Sequence, residues 1–300
     1  MTTYPLVSVV TPTFRHGHYL PDTIDSILSQ SYPHIEYMIY DAGSRDATPH
    51  ILEKYRSQGV QSAVIEGIGQ SEAINRGWKL AQGDIVAWLN SDDTYFEDTV
   101  QHAVDYFMKN PDAGWLYGNR VSVDENGNPF AFRDPVEEWS YQRLLQRNFI
   151  TQPTVFLRAK VVEDMGYLRD DLDFMMDYEY WLRIGQKYPG HYVPDVRARV
   201  TYHRSTKSSA GSFARLREME DVIIRYGGDG LPQHARYEWI MSACNGFIGN
   251  LREGDRAAAL DALRKTMDYP GAIPVGTVKF LVNKLLPRSV EKKLRAMLIR

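Results

Sequence analysis

The first hundred residues alternate strand signals with helical periodicity. That order constrains the fold most, because strand–helix–strand repeats close into a parallel sheet with helices packed over it. Residues 6–11 (LVSVVT) and 35–40 (IEYMIY) read as the first two strands. Between them Leu20, Ile24, Ile27 and Leu28 recur at helical spacing after Pro21 and Asp22, and Pro33 ends the run. Residues 51–56 read as a second helix, and Val64 and Ile65 mark a weak third strand. Residues 71–81 predict a helix with Ile74, Trp78 and Ala81 on one face, and 84–89 (DIVAWL) a fourth strand ending at NSDD. A helix carrying Val100, Ala103, Val104 and Phe107 follows. From Trp115 the signals become short strands, and VDENGNP reads as a hairpin turn about its Asn-Gly, so the expected sheet is mixed. A strand is expected at 153–158, a helix at 176–187 and a strand or extended pair at 191–203. Segments near 213–226, 232–250, 255–268 and 276–298 read as helical. The expected fold class is therefore α/β over residues 1–212, with a helical region over 213–300.

Composition removes several function classes. With 35 Lys/Arg against 38 Asp/Glu the net charge is −3, so no basic field draws the chain to nucleic acid. The single cysteine, Cys244, excludes an intramolecular disulfide and any multi-cysteine metal site; its neighbours Trp239, Ile240 and Phe247 make it a core residue. The start MTTYPLVSVVTPTF has no basic n-region or cleavage site, and no apolar run reaches the ~20 residues that span a bilayer, so a cytoplasmic location is expected. Charge is uneven, however: residues 276–300 hold seven Lys/Arg and one acid.

In an open α/β sheet, ligands gather at the carboxyl ends of parallel strands. The polar residues there are Thr11 with Pro12, Asp41, and Asn90 to Asp93. Asp92 and Asp93 have two readings: capping of the next helix, or a carboxylate pair that holds Mg²⁺ or Mn²⁺ and leaves positions for diphosphate oxygens. A second acidic feature is MDYEYWLR. On a helix Asp177 shares a face with Tyr180, Trp181 and Ile184, as a partly desolvated general base would, although an acid in a first turn is also favoured by the helix dipole. Glu179 lies four residues before Arg183 and reads as an ordinary exposed ion pair.

Taken in order, PTFRHGHYL, DAGSRDAT, GQSEAINRGWKLAQGDIVAWLNSDDTYF, QPTVFLR and MDYEYWLR resemble the successive signatures of bacterial family 2 glycosyltransferases, over roughly residues 5–205. That resemblance implies a GT-A fold and a nucleotide-sugar donor. It implies that Thr11, Pro12 and Asp41 hold the nucleoside, with Ser71 and Asn75 along the nucleotide, and that Asp92 lies near the ribose while Asp93 binds the divalent cation, Mn²⁺ or Mg²⁺. It makes Asp177 the catalytic base and His203, in TYHRSTKSS, a residue near the diphosphate that binds metal. Gln152 and Trp181 would line the sugar and acceptor pocket, and Lys207 with Ser208 would close over the phosphates. The chain lacks the family's arginine near Ile74, and it departs from the family at Asn90, where an acid is often present, so metal affinity is expected to be modest.

The expected reaction is a single displacement that inverts the anomeric centre. A UDP-sugar is favoured as donor and a glycan or lipid-linked acceptor as the other partner, in cell-surface polysaccharide synthesis. Two alternatives stay open: a sugar-1-phosphate nucleotidylyltransferase, which needs a Gly-rich phosphate loop that TPTFRHGHYL lacks, and a non-catalytic sugar-nucleotide-binding scaffold. Within 276–300, Phe280, Leu281, Leu285, Leu294 and Leu298 recur among the basic residues. This suits peripheral binding to an anionic membrane, or a terminal helix packed on the body.

Overall fold

The computed structural model describes residues 4–131, 135–203, 213–236, 238–239, 250 and 261. The chain divides into two compact units, Met1–Ser209 with Tyr226–Gly228, and Ala210–Arg225 with Asp229–Arg300.

The described strands of the first unit are β1 (Val7–Thr13), β2 (Ile35–Asp41), β3 (Gln61–Val64), β4 (Ile85–Trp88), β5 (Thr94–Tyr95), β6 (Trp115–Asp124), β7 (Pro129–Phe130), β8 (Phe156–Arg158) and β9 (Gly190–Tyr202). They make one mixed sheet in the order β3-β2-β1-β4-β8-β6-β9-β5, with β7 folded back on β6. Strands β3, β2, β1 and β4 run parallel, while β8 is antiparallel to both β4 and β6. The parallel half follows the predicted order because each strand is returned by a helix: α1 (Leu20–Leu28), α2 (Thr48–Arg56) and α3 (Gln70–Leu80). Every residue of β1 is buried, as a central strand covered on both faces requires.

Helix α1 starts with Pro21 in its first turn and buries Leu20, Ile24 and Ile27. Each such side chain contributes about 1.5–3 kcal/mol of burial. Leu28, at the end of the helix, is instead exposed. Helix α3 lies close on β1 at Gly77, where a Cβ would come within 2.4 Å of Val10 Cγ2. On the same layer Trp88, Trp181 and Trp115 form an offset stack, with ring centroids 5.4 Å and 5.6 Å apart.

The later strands differ from the expectation. β6 has 10 residues and β9 has 13, and the two run parallel with a register shift between Tyr117 and Asn119. At that irregularity a Cβ on Gly118 would meet the Val196 carbonyl oxygen at 1.9 Å. The bulge breaks the period-2 alternation, which is why the sequence reads as short pieces. The Asn-Gly hairpin does form, with Gly127 at φ 80° and Val123 paired to Pro129. Residues 152–154 form a 3-10 turn ahead of β8, and three helices flank this half: α4 (Thr99–Lys109), α5 (Tyr141–Gln146) and α6 (Ala159–Met165). The helix expected at 176–187 is α7 (Met176–Gly185).

In the second unit α8 (Phe213–Arg225) packs Leu216 against Leu231, Ala235 and Trp239. Cys244, the segment 255–268 apart from Asp261, and the basic stretch 276–300 lie outside the described residues. Among the described residues no helix is long and apolar enough to cross a membrane.

Candidate active site

The carboxyl ends of the parallel strands converge, and two loops are tied together there. Thr13 lies opposite Asp41 in the β1–β2 register. The loop after β1 donates Arg15 N–H to Ser44 Oγ (2.7 Å) and Gly17 N–H to Asp46 Oδ2 (2.9 Å) in the loop after β2. Asp46 is held below the usual carboxylate range: burial opposes ionisation, but donors from Thr48 and Gly17 outweigh it. Asp41 is fully buried and accepts from Ser44 N–H at 3.1 Å and from Ser44 Oγ at 2.5 Å. Its carboxylate is thus fixed by an Asx-type turn. Thr11 is buried against the Tyr37 hydroxyl at 3.0 Å, and Pro12 is buried beside it in β1.

At the end of β4 the acidic string separates into distinct environments. Asn90 is the centre of an amide chain: its Oδ1 accepts from Gln70 Nε2 (3.0 Å), and its Nδ2 donates to Gln152 Oε1 (2.9 Å). Gln152 in turn donates to the Trp88 carbonyl. Asp93 is buried, and its Oδ1 accepts from Thr201 N–H of β9 at 3.1 Å. Desolvation, with the Asp92 charge adding to it, pushes the Asp93 carboxyl well up, against the stabilising bonds from Thr201 and Asn90. Asp92 faces the other way and meets His203 Nε2 at 3.0 Å. One ligand atom from each of His16, Asp92 and His203 lies within 4.8 Å of the others. His16 is fixed by Ser91 Oγ at its Nδ1 (2.8 Å), and Tyr19 stacks on His203 at 5.0 Å. Two imidazoles and a carboxylate that converge from three parts of the chain fit a divalent cation.

The sequence reading put the ion on Asp93 and His203 and the ribose near Asp92. The geometry turns Asp93 into the sheet and puts Asp92 in the metal-competent group. His16 was missed, although a histidine just past the first strand of a parallel sheet already lies at the ligand end.

Asp177 is the second residue of α7, half-buried, with its Oδ1 on Tyr178 N–H at 2.6 Å. Its helix start lies against that of α3, where Ser71 Oγ donates to Met176 Sδ (2.8 Å). Asn75, expected along the nucleotide, clamps the Leu168 backbone instead, donating to its carbonyl and accepting from its N–H. Trp181, expected on a pocket wall, is fully buried in the tryptophan stack, because its ring lies between Trp88 of β4 and Trp115 of β6. Glu179 is also a correction. It pairs with Arg183 as expected, Nε–Oε1 3.1 Å and Nη2–Oε2 2.9 Å, but it is buried and also accepts from the Tyr226 hydroxyl. Lys207 and Ser208 lie outside the described residues.

The family model described as "Glycosyl transferase family 2" matches residues 8–161, just over half of the chain. The chain belongs to glycosyl transferase family 2. It is 33% identical over 188 residues to TuaG of Bacillus subtilis, a glycosyltransferase named for teichuronic acid biosynthesis, covering 61% of this chain and 73% of TuaG. Against glycosyltransferases of Rickettsia conorii and Rickettsia felis the chain spans 34% of their length. Among solved structures, residues 1–349 of Staphylococcus aureus TarS in complex with UDP-GlcNAc give a TM-score of 0.63 at 19% identity, covering 90% of this chain and 82% of that one. The mannosyltransferase PcManGT of Pyrobaculum calidifontis, in complex with GDP-Man and Mn²⁺, gives 0.58 at 17%, covering 94% and 80%. These likenesses show the GT-A fold.

Proposed function

We propose that this chain transfers a sugar from a nucleoside diphosphate sugar, with a UDP-sugar favoured, to a hydroxyl of a glycan or lipid-linked acceptor, and that the transfer inverts the anomeric centre. The observation that carries this reading is the convergence of His16, Asp92 and His203 at the carboxyl end of β4, in a chain of glycosyl transferase family 2. TarS and PcManGT, which share the fold, bind UDP-GlcNAc and GDP-Man with Mn²⁺ respectively, and the name of TuaG points to cell-surface polysaccharide synthesis.

In this reading Asp41 and the tied loops around Arg15 and Gly17 hold the nucleoside. Asp92 and His203 hold a divalent cation, Mn²⁺ or Mg²⁺, which supplies positive charge opposite the departing diphosphate. Asp93 and Asn90 brace the β4 end from behind. Asp177 takes the proton from the acceptor hydroxyl, the step that general-base groups accelerate by about 10²- to 10⁴-fold. Catalysis is assigned to 1–212, and 213–300 is an accessory helical region. The basic stretch 276–300 is assigned to an anionic membrane on the cytoplasmic face, where Lys and Arg contribute about 1 kcal/mol each at low salt.

The test is a panel of nucleotide sugars offered with Mn²⁺ to the full chain, followed by release of nucleoside diphosphate and NMR of the product anomer. Metal-dependent release with inverted product supports the assignment; no binding and no release across the panel overturns it. Salt-sensitive co-sedimentation with anionic vesicles, lost on deletion of 276–300, tests the membrane assignment separately.

A further inference from the structure

We propose that His16 is a third protein ligand of the divalent cation, and that the resulting set of two imidazoles and one carboxylate makes the site select Mn²⁺ and Co²⁺ over Mg²⁺. The inference rests on the functional reading above and deepens it, since it fixes the class of cation that site takes.

Among the described residues, the two polar neighbours of Asp92 that could add oxygen donors are engaged elsewhere. Asp93, the adjoining acid, gives its Oδ1 to the Thr201 N–H and is buried against β9. Asn90 spends both ends of its amide on Gln70 and Gln152. What converges instead is Asp92 with the rings of His16 and His203. Both rings are held: His16 by Ser91 at Nδ1, and His203 by the Tyr19 ring stacked on it, with the two imidazoles edge to face at 5.8 Å. The Ser91 bond at Nδ1 orients the His16 ring as an outer partner orients a ligating histidine, and stacking on Tyr19 fixes the plane of His203. Mg²⁺ binds oxygen in a tight octahedron and keeps its waters, whereas neutral imidazole suits the first-row transition ions, with affinity rising from Mn²⁺ through Co²⁺.

The test uses the full chain and the metal ions alone. Mg²⁺, Mn²⁺ and Co²⁺ are titrated calorimetrically into the parent, His16→Ala, His16→Gln and Asp92→Ala, and pulsed electron paramagnetic resonance counts the imidazole nitrogens coupled to bound Mn²⁺. The parent is expected to bind Mn²⁺ at least ~10-fold more tightly than Mg²⁺ and to show two imidazoles. His16→Ala should lose about 10-fold in Mn²⁺ and Co²⁺ affinity, hold Mg²⁺ within about twofold, and show one imidazole. His16→Gln, which keeps a polar partner for Ser91, should match the His16→Ala affinities, and equal melting temperatures in chelator show that both variants are folded. A parent with one coupled imidazole, or an unchanged Mn²⁺/Mg²⁺ ratio in His16→Ala, overturns the inference. If Asp92→Ala abolishes Mn²⁺ binding while His16→Ala leaves it alone, only the role of His16 fails. If Asp92→Ala binds Mn²⁺ like the parent, the metal assignment itself fails with it.

Discussion

Asp92 and Asp93 differ by one position in the chain and by everything that surrounds them. Asp92 meets His203, whereas Asp93 is buried under the Thr201 N–H. Asp92→Ala should therefore abolish Mn²⁺-dependent UDP binding, while Asp93→Asn, whose amide oxygen still accepts from Thr201, should keep that affinity within about threefold by calorimetry. Equal losses in the two variants would show that the buried acid is also a ligand. Asp177→Asn should separate chemistry from binding: turnover falls by about 10²- to 10⁴-fold, with donor affinity within a few-fold of the parent. Near-parental turnover would leave Asp177 as a first-turn acid serving only its helix. The strings NSDD and MDYEYWLR marked these acids as site candidates. Which of two adjacent acids turns inward was not legible, because the deciding donor, Thr201, lies 108 residues away. His16 escaped for the same reason, since its companions Asp92 and His203 join it only through the topology of β1, β4 and β9.

Helix α7 is fastened at its middle by charge. Glu179 is 1% exposed, and its partner Arg183 also donates to the carbonyls of Met165 and Tyr167 and lies over the Tyr180 ring. Tyr226, whose carbonyl accepts from Tyr141, closes this group onto Glu179. Removing one partner of a buried ion pair costs about 3–5 kcal/mol, so Glu179→Gln should unfold at clearly lower urea concentration. Tyr226→Phe removes one hydrogen bond to a charged group, a cost of about 1.5–3 kcal/mol. If both variants denature like the parent, the pair is solvated in practice. The spacing of Glu179 and Arg183 was readable; the burial was not, because the residue that caps the pair is 47 positions downstream. Elsewhere β9 carries His191, whose Nδ1 meets the Tyr106 hydroxyl on α4 and whose pKa is lowered by burial. The folded state resists its protonation, so its contribution is intact above the ordinary value near 6.5 and is lost as pH falls through the depressed one. His191→Asn should flatten the acid side of the stability profile below about pH 6.5, measured by thermal melting.

On the scale of the molecule, the loops after β1 and β2 are already tied by Arg15–Ser44 and Gly17–Asp46, and the metal-competent group joins them to β4 and β9. UDP and Mn²⁺ together should therefore raise the melting temperature by more than the sum of their separate shifts, and a chelator should remove the excess; a ligand at ~100 times its Kd stabilises by about 2.7 kcal/mol. Purely additive shifts would place ion and nucleotide in independent sites. The parallel half of the sheet was legible because each strand is followed by its own helix. The order β8-β6-β9-β5 was not, since β8 enters antiparallel and the bulge at Gly118 hides the length of β6. The tryptophan stack has a bearing on evolution as well as on stability. Trp88 ends the strand that leads to Asn90 and Asp92, Trp181 sits four residues past Asp177, and Trp115 closes the pile. Packed flat rings resist compression, so the pile acts as a gauge block between the end of β4, which carries Asp92, and the start of α7, which carries Asp177. Under the proposed function, descendants of such a chain are free to trade one acceptor for another in the surrounding loops, while the span across which the sugar would be handed over stays the same.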